Sequence, residues 1–504
     1  MRTLLPPLAT RDRAFSAILV VGCGIFQAAA LAVAAFATRD AFAALHNHDP
    51  LALRTILELA FAGVIAGFCL FLSRRQAEDL GQSYAIALRR VLYKQIASLP
   101  KSRHDHRRTG ALSLRFVGDL SAARLWFGRG LPDVLTAMVV LPGAVAILIL
   151  LDAGLAFAAL TPLTLSLMLM ATLAWHLERR HQRLRKRRAS IAISMIERIA
   201  IAPDLDLMGR TDKELRALDE QGTALKGDAV ARRGRTAGLQ AILQAGVAVA
   251  GLAILWFANQ GNATPATVAA SLSVLALVAM PLQDLGAAWD KFCAWTVARE
   301  KAQRLLDEPS LIRSAKKKQR PVAVTVSGAV NFTADAGKVT RIDATNARML
   351  ARIISGLDHD PDVKIVFGDQ ETPPPIAFIG DAHIGIQGSL RRTITLSTRK
   401  RPDDKQVANV LRAFGLGDLI NAPRGLDQRL AENGKGLSAG QTLRLDLARA
   451  VLGKANVIVI SSLRWDADPD QEALLTTLQR LSPATVILAD GANRSKPVEN
   501  SKAT

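Results

Sequence analysis

The chain has 504 residues, 50% of them hydrophobic, and a formal net charge of +20. That length exceeds one ordinary domain. The composition excludes a uniformly soluble chain, because the apolar runs are all gathered before residue 290. Nucleic acid is set aside as a partner: aromatic residues make up only 5% of the chain, and its basic residues follow a membrane pattern.

Six stretches approach the roughly 20 apolar residues that cross a bilayer core. They lie near 15–38, 55–73, 131–151, 154–175, 239–258 and 266–285. The first opens at Phe15 and is too long for a signal-peptide core, and no convincing cleavage site accompanies it. Arg54 and Glu58, at the start of the second, are four residues apart and share a helix face, as an interfacial ion pair or a substrate contact would. Asp152 and Gly154 leave so little chain between the third and fourth stretches that these form a hairpin. Cys23 and Cys69 fall in apolar runs, and with Cys293 they show no metal or redox spacing.

Charge sets the orientation. The segments 74–125 and 178–236 are rich in Arg and Lys, including the run Arg179, Arg180, Arg183, Arg185, Lys186, Arg187, Arg188. The connections at 39–54, 152–153 and 259–265 hold almost none. The positive-inside bias places both long loops, both termini and everything after residue 290 in the cytoplasm, with a bacterial inner (plasma) membrane as the expected location. Residues 75–100 and 178–235 have helical spacing and almost no proline, so the spans are expected to run on as helices well beyond the bilayer. Two breaks interrupt them, Pro100 to Gly110 and Ala202 to Gly209.

After the polar linker Lys316-Lys317-Lys318-Gln319-Arg320-Pro321 the pattern changes to short apolar strands between helices. Leu437-Ser438-Ala439-Gly440-Gln441 leads into a helix and then an apolar strand, Ala455 to Ile460. This closely resembles the signature motif of the ATP-binding-cassette (ABC) ATPases, and the six spans with two long inner loops resemble the exporter-type (type IV) transmembrane domain. The resemblance implies a membrane α-helical domain of six transmembrane helices with long cytoplasmic extensions, joined to an α/β, P-loop-NTPase-like ABC cassette. It divides the chain into a transmembrane domain at 1–312, a linker at 313–321, a cassette at 322–493 and a polar, disordered tail at 494–504.

The same resemblance implies that the cassette is degenerate. Where the family has its phosphate loop, between a strand at 339–342 and a helix at 349–357, this chain carries Asp343, Ala344, Thr345, Asn346, Ala347 and Arg348. There is no glycine to let backbone N–H groups wrap phosphate and no lysine to neutralise it. Arg348 restores a charge but not the cradle. Gly380 stands at the position of the family's Mg²⁺- and water-sensing glutamine, and Ser461 and Ser462 stand at those of the Mg²⁺-binding aspartate and the general-base glutamate. Asp490 follows the strand that leads to the histidine sensor, and the last tyrosine is Tyr93, so the adenine-stacking ring is missing.

In the family the signature serves the ATP held by the opposite subunit, and it is kept here; Asp468 matches the aspartate of the inter-subunit loop. The implied function is the non-catalytic half of a heterodimeric exporter. ATP and Mg²⁺ would be bound mainly by a different half-transporter with intact motifs, and none by this chain alone. Three alternatives stay open: a membrane scaffold or regulator without transport, an ATPase that uses a noncanonical nucleotide site, and a signature retained only for packing. The bilayer is an expected partner, and the transported substrate is not legible.

Overall fold

The computed structural model describes residues 5–101, 118–261, 263–311, 320–328, 331–342, 346–370, 372–398, 400–431 and 434–489. Two compact units separate, one from Met1–Ala97 with Arg107–Glu308, the other from Ser98–His106 with Pro309–Thr504.

The first unit is helical: α1 (Arg11–His46), α2 (Leu53–Ser98), α3 (Leu120–Leu125), α4 (Leu131–Leu151), α5 (Ala153–Ala200), α6 (Ala202–Leu207), α7 (Thr211–Gln260) and α8 (Pro265–Leu306). Among the described residues it has six apolar windows long enough to cross a membrane, the third running through α3 and α4 together. At 1.5 Å per residue the 50 residues of α7 extend roughly 75 Å, more than twice a bilayer core of about 30 Å. The helices therefore overrun their apolar windows, as the scarcity of proline in their polar halves predicts. Asp152 makes the tight turn between α4 and α5: its carboxylate accepts from the Leu155 N–H at 2.9 Å and caps α5. The break expected after Ala202 is the short α6, closed by Gly209 at φ +66°; most of the earlier break lies outside the described residues. Arg54 and Glu58 pair at 2.7 Å.

Between α3 and α4 the backbone widens into a π-turn, Trp126–Gly130. There α2 passes so close that a Cβ on Gly81 would lie 2.6 Å from the Gly128 Cα, a separation only glycine allows. Tyr84, Phe127 and Trp295 stack around this crossing at centroid distances of 3.9–5.6 Å.

The second unit is α/β. Strands β1 (Val324–Gly328), β2 (Phe332–Ala334) and β4 (Val363–Phe367) form an antiparallel sheet in the order β2-β1-β4. Strands β3 (Val339–Arg341), β5 (Ile376–Ile379), β8 (Val457–Ile460) and β9 (Thr485–Leu488) form a parallel sheet in the order β3-β9-β8-β5. A small ladder pairs β6 (Gly388–Ser389) with β7 (Arg429–Leu430). The helices are α9 (Ala347–Ile354), α10 (Leu390–Ile394), α11 (Asp404–Ala413), α12 (Gly417–Asn421), α13 (Ala439–Leu452), α14 (Leu463–Asp466) and α15 (Gln471–Leu481). Strands β8 and β9 are buried at every position, which explains their unbroken apolar sequence in a sheet covered on both faces. Helix α9 starts two residues earlier than its apolar spacing suggests, at Ala347. Lys101 belongs to this unit: its N–H donates to the Leu357 carbonyl at 2.7 Å, and its ammonium lies 5.9 Å from the Phe378 ring.

Candidate functional site

The signature segment forms the start of α13. Ser438 is the N-cap: its hydroxyl accepts from the Gln441 N–H at 3.1 Å, and the Gln441 side-chain carbonyl accepts from the Ser438 N–H at 2.9 Å. This reciprocal capping box satisfies two orphan donors of the helix end. The approach to it needs Gly434 and Gly436, both at positive φ; Glu432 and Asn433 lie outside the described residues. Ala439 keeps negative φ, so the alanine in place of the family's glycine costs no backbone strain. Ser438 and Ala439 are exposed, and Leu437, Gly440 and Gln441 half-buried.

Asp468 is turned inward. Its side chain is only 4% exposed and lies 3.6 Å from the Arg444 guanidinium, and it accepts from the Asp470 N–H at 3.0 Å. A Cβ on Gly440 would sit 3.5 Å from the Asp468 carboxylate, an ordinary contact.

The residues expected at the chain's own nucleotide position are arranged differently. Asp343, Ala344, Thr345 and Asp490 lie outside the described residues. Asn346 and Ala347 open α9 without a side-chain cap. Arg348, on the first turn of α9, reaches Asp466 at the end of α14 with 3.4 Å between Nη2 and Oδ2. Its charge thus has an acidic partner within the chain. Ser462 is buried and caps α14, its hydroxyl accepting from the Arg464 N–H at 3.2 Å. The Ser461 N–H donates to the Ile379 carbonyl at 2.9 Å, extending the β5–β8 ladder.

The spacing of motifs does not reveal the ionic knot that ties this corner to α13. Arg464 Nη2 donates to the Gly380 carbonyl at 2.6 Å and to Asp446 Oδ2 at 2.9 Å, while Nη1 donates to the Thr442 hydroxyl at 3.0 Å. Asp446 also receives Arg449 at 2.7 Å and bonds His383 Nδ1 at 2.8 Å. His383 and Asp446 are each 3% exposed at the side chain and Arg464 11%, so the bonds act in a low-dielectric interior where an unpaired charge is costly. One guanidinium joins the turn after β5, the turn after β8 and the body of α13. The available signal was an acid between Leu445 and Leu447 in an otherwise apolar helix face, together with an arginine two residues after Ser462.

Among the described residues no group of His, Cys, Asp and Glu is arranged to hold a metal ion.

Residues 14–282 match the family model for the ABC transporter transmembrane region. The chain belongs to that family. It is a multi-pass integral membrane protein with the architecture of an ABC half-transporter, and its C-terminal α/β unit is consistent with an ABC cassette. The ATP-dependent lipid A-core flippase of Bordetella avium is 22% identical over 489 residues, covering 88% of this chain and 81% of that protein. The uncharacterized ABC transporter ATP-binding protein y4gM of Sinorhizobium fredii is 27% identical over 155 residues, covering 28% of this chain and 26% of the relative. Among solved structures, a bacterial Atm1-family ABC exporter with ATP bound superposes with a TM-score of 0.80 at 17% identity, covering 96% of this chain and 91% of that one. At that identity the likeness is one of fold.

Proposed function

We propose that this chain is the non-catalytic half of a heterodimeric ABC exporter. It contributes six spans and presents Leu437, Ser438, Ala439, Gly440 and Gln441 to ATP and Mg²⁺ held by a different half-transporter. The observation that carries this reading is the contrast along α13. Ser438 and Ala439 at the helix start are exposed, and the capping box there leaves the Ala439 and Gly440 N–H groups for phosphate. Its middle is bound to the chain's own site by Arg464 and Asp446. Ser461 and Ser462 offer no carboxylate for metal or water, so a homodimer would have no competent centre. Closure of the paired cassettes would move the spans through the inner loops near 104–110 and 203–212.

The test is ATPase and transport by this chain co-expressed with an intact half-transporter, comparing the native signature with Ser438 and Gly440 variants. Rates unchanged by every signature variant would remove the proposed role and favour the scaffold.

Orientation follows from the basic segments: both termini and the 178–236 extension in the cytoplasm, in a bacterial inner membrane. Cysteines placed at 259–265 should react with an impermeant maleimide in intact cells, and those at 183–188 only after permeabilisation. The opposite labelling pattern would invert the topology.

A further inference from the structure

A cavity of about 450 Å³ opens within the transmembrane unit between α1, α2, α4 and α8. Its depth comes from small residues on one face of α2, Ala62, Gly63, Ala66 and Gly67, opposite Leu31 and Val140. One end of this apolar cleft is charged. Arg74 donates to Asp133 at 2.9 Å and to Asp284 at 3.2 Å, and Lys291 donates to Asp133 at 2.8 Å.

The charges mark a depth in the bilayer. Arg74 follows the apolar stretch 55–73, Asp133 opens α4, and Asp284 closes the stretch 266–285. All three therefore sit at the same membrane boundary, with the cleft running from them into the hydrocarbon layer. A molecule filling it has its head at the interface and its body in the bilayer, which is the shape of a lipid.

The burial of each charge decides the head group. Asp133 is 5% exposed and held by both cations, so it is committed to the protein. Arg74 is 50% exposed and Asp284 38%, and the longer bond between them is the one a ligand can open. An anionic head taking Arg74 would leave Asp284 unpaired and repelled, and a cationic head taking Asp284 would leave Arg74 with one arm free. A dipolar head replaces both halves of the bond and strands neither charge. Deeper in the cleft, Gln27 Nε2 is buried without a hydrogen-bond partner and lines the same cavity. It is a donor suited to an ester or hydroxyl oxygen on the ligand body.

The site is built on rigid elements. Lys291 approaches Asp133 over Gly130 of the π-turn, where an added Cβ would lie 3.2 Å from the Lys291 Cβ and 2.5 Å from the Trp126 ring. Trp126 in turn packs on Phe292 at 5.0 Å between centroids.

We propose that this cavity binds a lipid with a zwitterionic ammonium–phosphate head group, the phosphate on Arg74, the ammonium on Asp284 and the chains along the Ala62–Gly67 face. Calling that lipid cargo rests on the exporter reading; its binding does not, and is measured on this chain alone.

The experiment is native mass spectrometry of the full-length chain in detergent. The probes are phosphatidylethanolamine, phosphatidylglycerol of matched chains, and glycerophosphoethanolamine without chains. Phosphatidylethanolamine should bind at least about tenfold tighter than phosphatidylglycerol, a difference of about 1.4 kcal/mol, and the chainless head should bind far more weakly than either lipid. Arg74→Gln and Asp284→Asn should each abolish that preference. Ala66→Phe, which fills the cleft without touching the ion pairs, should weaken both lipids and keep the preference in whatever binding remains; it serves if the charge variants fail to assemble. Equal binding of the two lipids by the native chain would overturn the assignment, as would a chainless head that binds as well as the lipid, or an Ala66→Phe chain that binds both lipids at native strength.

Discussion

Two regions of the second unit, the start of α13 and the corner where β5, β8 and α9 meet, treat polar groups in opposite ways. At the start of α13 Ser438 is exposed and Gln441 half-buried, and the side chain of each accepts from the backbone N–H of the other. At the corner the polar groups named above are bound within the chain: Arg348 to Asp466, Arg464 to Asp446 and the Gly380 carbonyl, and Ser462 to the α14 cap. A ligand at the first place adds bonds, whereas at the second it must first break them. The difference supports an ATP-facing role for the exposed end and none for the corner.

The largest effect is expected where that contrast is most direct. Gly440→Asp should lower ATPase of the co-expressed pair roughly 100-fold, by placing negative charge where charge develops on phosphate. Gly440→Ala is the control, because its Cβ makes ordinary contacts, at 3.5 Å to the Asp468 carboxylate and 4.0 Å to the Arg444 guanidinium. Any loss from alanine then reports close approach of a ligand rather than misfolding. Ser438→Ala should cost about tenfold, the value of one hydrogen bond to a charged group, but it also removes a helix cap worth about 1 kcal/mol. Ser438→Asp separates the two roles: aspartate caps as well as serine and repels phosphate. It should be the worse variant if Ser438 serves ATP, and nearly silent if Ser438 only caps. A silent Ser438→Asp would break the comparison at its stronger side.

Next comes the ionic knot. Asp446→Asn and Arg464→Met should each destabilise the second unit by about 3–5 kcal/mol, since each strands a buried charge. The double variant Asp446→Asn/Arg464→Met should cost clearly less than the sum of the single losses, as expected when two changes remove one interaction. Chemical denaturation of the full chain, followed through Trp465, which is buried beside the knot, measures both. Additive losses would mean that the bonds around Arg464 are independent and that the knot does not hold α13 as a unit.

Much of this was legible in the sequence. The spans show because apolar windows of bilayer length are hard to produce otherwise, and their extension shows because so few helix breakers interrupt the polar halves. The strands β8 and β9 read as apolar runs because a covered parallel sheet buries every position. What escaped depends on residues far apart in sequence. His383 and Asp446 are separated by 63 positions, and nothing local in either announces the other. Asp446, seen alone, reads as one polar residue on an amphipathic helix, and only the packed fold makes it the centre of three ion pairs or hydrogen bonds. The charged end of the membrane cavity escaped for the same reason, since Arg74 and Asp284 lie 210 positions apart. The π-turn has no motif of its own; it is visible in the backbone spacing at Trp126–Gly130 and in the glycine contact that spacing permits.

Two smaller effects test the corner itself. This chain alone should show no saturable binding of Mg-ATP by calorimetry at millimolar concentration, because Arg348 already has Asp466 as a partner and the cradle lacks glycine. Micromolar binding abolished by Arg348→Ala would mean that the arginine leaves Asp466 for phosphate.

The smallest expected change is that of Ser462→Glu, which returns a general-base carboxylate to the end of β8. Ser462 is buried and caps α14, so glutamate there loses a cap and meets the neighbouring Asp381 side chain, which already accepts from the Leu463 N–H at 2.6 Å. A second carboxylate in that turn is repelled, and on the proposed reading residues 343–348 make no phosphate loop to bring it a substrate. ATPase of the co-expressed pair should therefore stay within about twofold of the native rate, a difference of under 0.5 kcal/mol in barrier. A clear rise would put working chemistry in this chain and reverse the assignment of roles between the corner and the signature. A rise that depended on Ser438 of the same chain would go further, because only two copies of this protein, each serving the other, would produce it.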